Sequence, residues 1–190
     1  IIGFFIVWIG IAIFPILTVE KLPKNFPIVS YIPEDIDIYL QQKESEVSGI
    51  FPNAEKTIYW NNNTKDKTKY SIVFIHGFTT TGYQSKDFLE KLSTELDANL
   101  FITRLSGHGV SYEGTKEMQI DNIMHDVSEA IIIGERIGEN LILIGHSLGG
   151  ALSMLAVDDE ILSKKIDTLV LFAPGNSGFS PFALMNTLMS

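Results

Sequence analysis

The sequence contains no cysteine, which excludes disulfides, a thiolate nucleophile and cysteine-ligated zinc. Cations are scarce as well: 14 Lys plus Arg stand against 23 Asp plus Glu, a formal net charge of −9. Nucleic-acid binding needs clustered cations that release counterions from phosphates, so no nucleic acid is expected as a partner. Histidine is limited to His76, His108, His125 and His146, which leaves few candidates for a general base. Nothing in the sequence asks for a metal or an organic cofactor. Charge is missing altogether from the first 19 residues.

Residues 1–19 are apolar at Phe4, Phe5, Ile6, Val7, Trp8, Ile9, Ile11, Ile13, Phe14, Ile16 and Leu17. A helix of that length rises roughly 28 Å, close to the ~30 Å hydrocarbon thickness of a bilayer. Pro15 is tolerable near one end of such a span. The stretch therefore predicts a single-pass transmembrane anchor and a membrane localisation, with the side of the membrane left open. A buried core helix is the alternative, but a helix apolar on every face is rare in a small domain. The following Glu20-Lys21-Leu22-Pro23-Lys24 has no small-x-small cleavage pattern, which favours a retained anchor over a cleaved signal peptide. Since the chain does not begin with Met, that choice stays open.

Residues 20–56, punctuated by Pro23, Pro27, Pro33 and Pro52, predict a connector with one short helix around 35–46. From residue 57 to 190 the pattern predicts one domain. Residues 55–60 suit a first strand, and 71–75 form a continuous apolar run of the kind buried on both faces of a parallel sheet. Apolar residues at helical spacing over 86–96 and 120–137 predict two helices. Strands are expected at 99–105, 140–144 and 167–173, with a helix at 151–157. Strands alternating with helices imply right-handed crossovers, hence an α/β fold with a mostly parallel sheet flanked by helices.

Three motifs carry chemistry. Gly145-His146-Ser147-Leu148-Gly149 fits Gly-x-Ser-x-Gly between an apolar strand and a small-residue helix, the setting of a nucleophile elbow. Glycine is needed at both ends because a side chain there would strike neighbouring backbone, while the turn lifts the Ser147 hydroxyl above the sheet. An ordinary glycine-rich turn with an incidental serine is the competing possibility. His76-Gly77-Phe78 ends the earlier buried strand. The backbone N–H groups of Phe78 and Leu148 are the expected oxyanion donors, and Gly77 lets the loop turn closely. The third motif is the loop Ser106-Gly107-His108-Gly109. His108 is placed on the pocket rim as a substrate-binding residue, with a solvent-facing loop residue as the alternative.

In this order and spacing the three motifs resemble the α/β-hydrolase superfamily, in particular its carboxylesterase, monoacylglycerol lipase and lysophospholipase-like group, which grades into the serine aminopeptidase-type hydrolases. The resemblance covers about residues 70–174. Ser106 departs from the proline usual in such relatives. It implies a serine hydrolase forming an acyl-enzyme on Ser147, with a small-molecule ester or lipid-like acyl substrate. Thioesterase, acyltransferase, peptidase and carbon–carbon hydrolase are alternatives, as is a non-catalytic membrane-tethered module that kept the fold.

The fold supplies its triad in the chain order serine, acid, histidine, yet all four histidines precede Ser147. His146 should point away from the serine, His125 sits in a helix, and His76 should brace the oxyanion loop. Asp158, Asp159 and Glu160 are expected on solvated surface, and Asp167 at the opposite sheet edge. The triad acid and histidine are therefore expected outside this chain, which is taken as a C-terminally truncated fragment with little turnover of its own. Phe179, Phe182, Leu184, Met185, Leu188 and Met189 suit the start of an apolar lid at about 175–190, or ordinary core packing.

Overall fold

A computed structural model describes residues 25–29 and 31–175. The expected transmembrane stretch 1–19 lies outside the described residues, as does the expected lid beyond Gly175. Among the described residues no helix is long and apolar enough to cross a membrane.

The elements are α1 (Ile36–Ser45), β1 (Thr57–Tyr59), β2 (Thr68–Ile75), α2 (Lys86–Glu95), β3 (Asn99–Ile102), α3 (Ile120–Ile137), β4 (Gly138–His146), α4 (Leu148–Asp158) and β5 (Thr168–Phe172). The strands form one sheet in the order β1-β3-β2-β4-β5. Among the described strands only β1 is antiparallel to its neighbour. The fold is thus α/β, a mostly parallel sheet flanked by helices, as the alternating pattern predicts.

Alternation along the strands divides the core in two. Ile72 and Phe74 of β2, Leu100 and Ile102 of β3, and Ile144 of β4 face the side where Leu89 of α2 packs. Val73, Ile75, Phe101, Leu141 and Leu143 face the other side, under α3 and α4. Period-2 geometry sends successive side chains to opposite faces, and both faces are apolar because helices cover both. Since β2, β3, β4 and β5 run parallel, their C-terminal ends share one edge, here the upper edge. The lower edge is tied by Asn99, whose Nδ2 donates to Asp66 O (2.9 Å) and Ile137 O (2.8 Å).

The segment read as a connector is, from Phe26 onward, packed on the body. Phe26, Ile32, Ile36 and Leu40 are buried in the α3/α4 core. The Arg136 guanidinium donates to Ile32 O and Pro33 O, each at 2.7 Å, and to Glu34 O at 3.2 Å. Asp159, expected on solvated surface, is instead buried. It ends α4 and accepts N–H groups from Phe26 (3.1 Å), Ile161 (2.9 Å) and Leu162 (3.0 Å). A carboxylate that saturates three orphan backbone donors tolerates burial.

A cluster of buried charges joins this segment to the sheet. Lys56 Nζ lies 2.7 Å from Asp126 Oδ1 and 2.5 Å from Glu129 Oε2, with the lysine side chain 7% exposed. Burial pulls the Lys56 ammonium down, but the two carboxylates outweigh it and raise it to about 12. Removing one partner of a buried ion pair leaves the others desolvated and uncompensated. Lys56→Ala is expected to cost about 3–5 kcal/mol of stability, measured as a lowered urea midpoint. Lys65→Ala, which removes the exposed partner of Asp37, should leave the midpoint within error. A Lys56→Ala midpoint equal to the parent's would dismiss the buried cluster.

Candidate active site

β4 runs directly into Ser147, whose backbone takes φ +52° and ψ −113°. Such a conformation is strained for any residue with a Cβ and persists only where its surroundings impose it. They do so here. Ser147 N–H donates to Phe172 O at 3.0 Å, while Ser147 O accepts from Ala151 N (3.1 Å) and Gly175 N (3.0 Å). The turn is held from β5 and α4 at once. A Cβ on Gly145 would lie 2.6 Å from Gly149 O and Ser153 Oγ, and one on Gly149 would lie 2.1 Å from Ile75 O. These two glycines let α4 fold back against β2 and β4 without a loop.

The His76-Gly77-Phe78 loop passes beside the serine. A Cβ built on Gly77 would sit 3.2 Å from Ser147 Cβ. Thr80 pins the loop, its Oγ1 accepting from Gly77 N at 3.1 Å. His76 braces it from beneath: Nδ1 donates to Gly77 O (2.8 Å), and Nε2 accepts from Leu105 N (3.0 Å). A carbonyl can only accept and an amide can only donate, so the neutral Nδ1–H tautomer is fixed. Burial first, then the neighbouring His108, lowers its pKa to about 3. Among the described residues the N–H groups of Phe78 and Leu148 find no backbone acceptor. Leu148 N–H is the first donor of α4, at the positive end of that helix.

His108 is buried (4% exposed), which removes the solvent-facing alternative. Its ring meets Phe78 edge to face at 5.6 Å and His76 at 5.2 Å. Nδ1 donates to Ser106 O at 3.1 Å, and Nε2 has no partner among the described residues. His146 lines a shallow cavity with Phe74, Gln84, Ser85, Phe88 and Phe172. His125 lines a separate polar cavity of about 430 Å³ with Lys43, Glu46, Glu117 and Asn122. Asp167 accepts Leu141 N at 2.8 Å on the lower edge. Ser147 is thus brought beside the Gly77 loop and at the head of α4, with His146 Nδ1 reaching the same loop, 3.1 Å from a Cβ built on Gly77. Among the described residues no three His, Asp or Glu are grouped to hold a metal.

The support behind the loops was not found from sequence. Asp126 Oδ2 accepts Ser106 N at 2.6 Å, and Glu44 takes Arg104 in two bonds of 2.7 and 3.0 Å. The available signal was two carboxylates, Asp126 and Glu129, inside the apolar stretch of α3.

A family model described as "Serine aminopeptidase, S33" matches residues 66–187. The chain belongs to this family of α/β-hydrolases. Among curated relatives, "Putative esterase/lipase 2" of Mycoplasma pneumoniae is 30% identical over 111 residues, covering 58% of this chain and 40% of the relative. "Putative esterase/lipase 3" of the same organism is 31% identical over 110 residues, covering 58% and 38%. The chain therefore spans about two fifths of the length of these relatives. A solved structure from work on the metagenome-derived lipolytic enzymes LipS and LipT superposes with a TM-score of 0.57 at 22% identity, covering 70% of this chain and 50% of that one. That likeness supports the fold.

Two outcomes follow from this geometry. Ser147→Gly relieves a strain of ~1–3 kcal/mol against an entropic cost of ~0.5–1 kcal/mol, so its urea midpoint should rise; a fall would contradict an imposed backbone. His76, neutral in the fold to about pH 3 and titrating near 6.5 when unfolded, stabilises fully above pH 6.5. That contribution is lost progressively as pH falls from 6.5 toward 3, because the unfolded chain gains a proton that the folded one refuses. Stability measured against pH should be less steep over this window in His76→Gln, by up to ~1.4 kcal/mol per pH unit.

Proposed function

We propose that the protein is the nucleophile-bearing part of a serine hydrolase that cleaves carboxylic esters through an acyl-enzyme on Ser147. The observation that carries this reading is the strained Ser147 turn with the Gly77 loop beside it and two N–H groups, of Phe78 and Leu148, that have no backbone acceptor among the described residues. Ser147 Oγ would attack the acyl carbon, and the two N–H groups would bind the oxyanion as the carbonyl π pair moves to oxygen. Collapse expels the alcohol and leaves the acyl group on Oγ. Water then attacks and returns free Ser147. The serine proton goes to a histidine oriented by a carboxylate. Among the described residues no histidine hydrogen-bonds to Ser147, so the reading takes base and acid from other parts of a longer polypeptide.

The esterase/lipase names of the mycoplasma relatives favour ester over peptide substrates, and lipid-like acyl chains suit the reading. His108, behind Phe78, would act by holding the oxyanion loop rather than by touching substrate. In the same reading residues 1–19 form a retained single-pass anchor, which makes the protein membrane-bound.

A fluorophosphonate probe on the full-length polypeptide should label the parent and leave Ser147→Ala unlabelled. Equal labelling of both would remove Ser147 as nucleophile, and no labelling of either would favour a non-catalytic module. Residues 1–190 alone should turn over p-nitrophenyl esters little or not at all.

A further inference from the structure

Residues 26–56 precede the region that the family model matches, which begins at residue 66. Two of their charged side chains nevertheless end beneath the active-site loops. Glu44, in the last turn of α1, takes the Arg104 guanidinium in two bonds, 2.7 Å to Oε1 and 3.0 Å to Oε2. The Glu44 and Arg104 side chains are 10% and 4% exposed. Arg104 also donates to His108 O at 3.4 Å. Lys56, just before β1, holds Asp126 Oδ1 at 2.7 Å, and the other oxygen of Asp126 accepts Ser106 N–H at 2.6 Å. The two paths are joined at their origin, because Lys56 N–H donates to Glu44 Oε2 at 2.9 Å.

Both paths converge on residues 104–108, and the far side of that loop meets the oxyanion loop at two points. Leu105 N–H ends on His76, whose other ring nitrogen holds Gly77 O. The His108 ring, oriented by its Nδ1–H bond to Ser106 O, packs edge to face on Phe78. A buried ion pair adds little net stability over apolar packing of the same shape. It does fix direction, since a bidentate guanidinium–carboxylate pair admits one arrangement of both groups. Direction matters at Phe78, because a reacting or stabilising group misplaced by about 1 Å can lose about 100-fold in rate.

We propose that Glu44 and Lys56 are positioning residues for acyl transfer. Through Arg104 and Asp126 they hold residues 104–108, and through His76 and His108 they set where the Phe78 N–H points. The proposal rests on the serine-esterase reading above and deepens it, by making a segment outside the matched region part of that site. An oxyanion exists only once the nucleophile has attacked, so the positioning acts on kcat rather than on KM.

The test compares the full-length polypeptide with Glu44→Gln, Lys56→Met and the control Asp159→Asn. Turnover of p-nitrophenyl butyrate is measured below each variant's unfolding temperature. Asp159 is also buried and satisfies three N–H groups, but at the far end of α4 from Ser147. Glu44→Gln and Lys56→Met should lower kcat about 10- to 100-fold, with KM within about twofold of the parent's. Asp159→Asn should lower the urea midpoint and keep the parental kcat. Parental kcat in the folded Glu44→Gln and Lys56→Met variants, a loss carried by KM, or an equal fall of kcat in Asp159→Asn would overturn the positioning role. Failure of both variants to fold would overturn it too, by assigning the pairs to the fold alone. A parent that neither hydrolyses the ester nor reacts with a fluorophosphonate is a separate result: it removes the esterase reading, and this proposal with it.

Discussion

The site depends on how closely α4 lies against the ends of β2 and β4. Gly149 is where that closeness is set, because a Cβ there would stand 2.1 Å from Ile75 O and 2.6 Å from His76 O. Those carbonyls belong to the strand end that becomes the oxyanion loop. A single backbone contact thus places the helix that begins at Ser147 against the strand that leads into the Gly77 loop, from which the proposed second oxyanion donor comes. The left-handed Ser147 follows from it, since a chain that must reverse this tightly has no room for a relaxed turn. So does the Leu148 N–H that has no backbone acceptor among the described residues: a helix that begins at once after Ser147 leaves its first donors without intrahelical acceptors.

A second tier of polar contacts stands behind that backbone. Leu105 N–H ends on His76, Ser106 N–H on Asp126, and the Arg104 side chain on Glu44. The loop after β3 is therefore tied to the oxyanion loop on one side and to α1 and α3 on the other. Buried ion pairs add little net stability over apolar packing, because desolvation offsets much of the Coulomb gain. What these carboxylates supply is direction. Asp126 spends one oxygen on Lys56 and the other on Ser106 N–H, so a displaced Lys56 would also release the loop.

Apolar periodicity made most of the sheet and helices legible. Helix α3 was bounded at 120–137 from spacing alone, and the buried strands showed as continuous apolar runs. β4 proved longer than its apolar stretch, because pairing with β2 from Thr68↔Gly138 onward sets its length, and Gly138 and Asn140 pair through backbone whatever their polarity. The Ser147 turn and Gly77 loop were legible because glycine is obligatory where a Cβ collides. The packing of residues 26–56 was not: prolines mark irregular backbone, and irregular backbone can still carry buried Phe26 and Ile32. The burial of Asp159, and of His108 against its solvent-facing alternative, was hidden for a related reason. Each is polar and in a loop, and only three-dimensional structure shows that backbone N–H groups or neighbouring rings surround it.

The two ends of the described body leave from opposite edges, and this shapes how the site can be completed. Residues before Phe26 depart from the lower edge, beside Asp159. Gly175 departs from the upper edge, its N–H on Ser147 O. Gly175, the last described residue, is therefore within one hydrogen bond of Ser147. β5 presents its partly exposed faces at the same place, with Phe172 in edge-to-face contact with the exposed Phe88. Segments packing there would cover apolar surface beside the site and restrict water around the oxyanion donors. Under the proposed acyl transfer, such an enclosure would make the two N–H groups act on the developing charge more strongly than they could in open solvent.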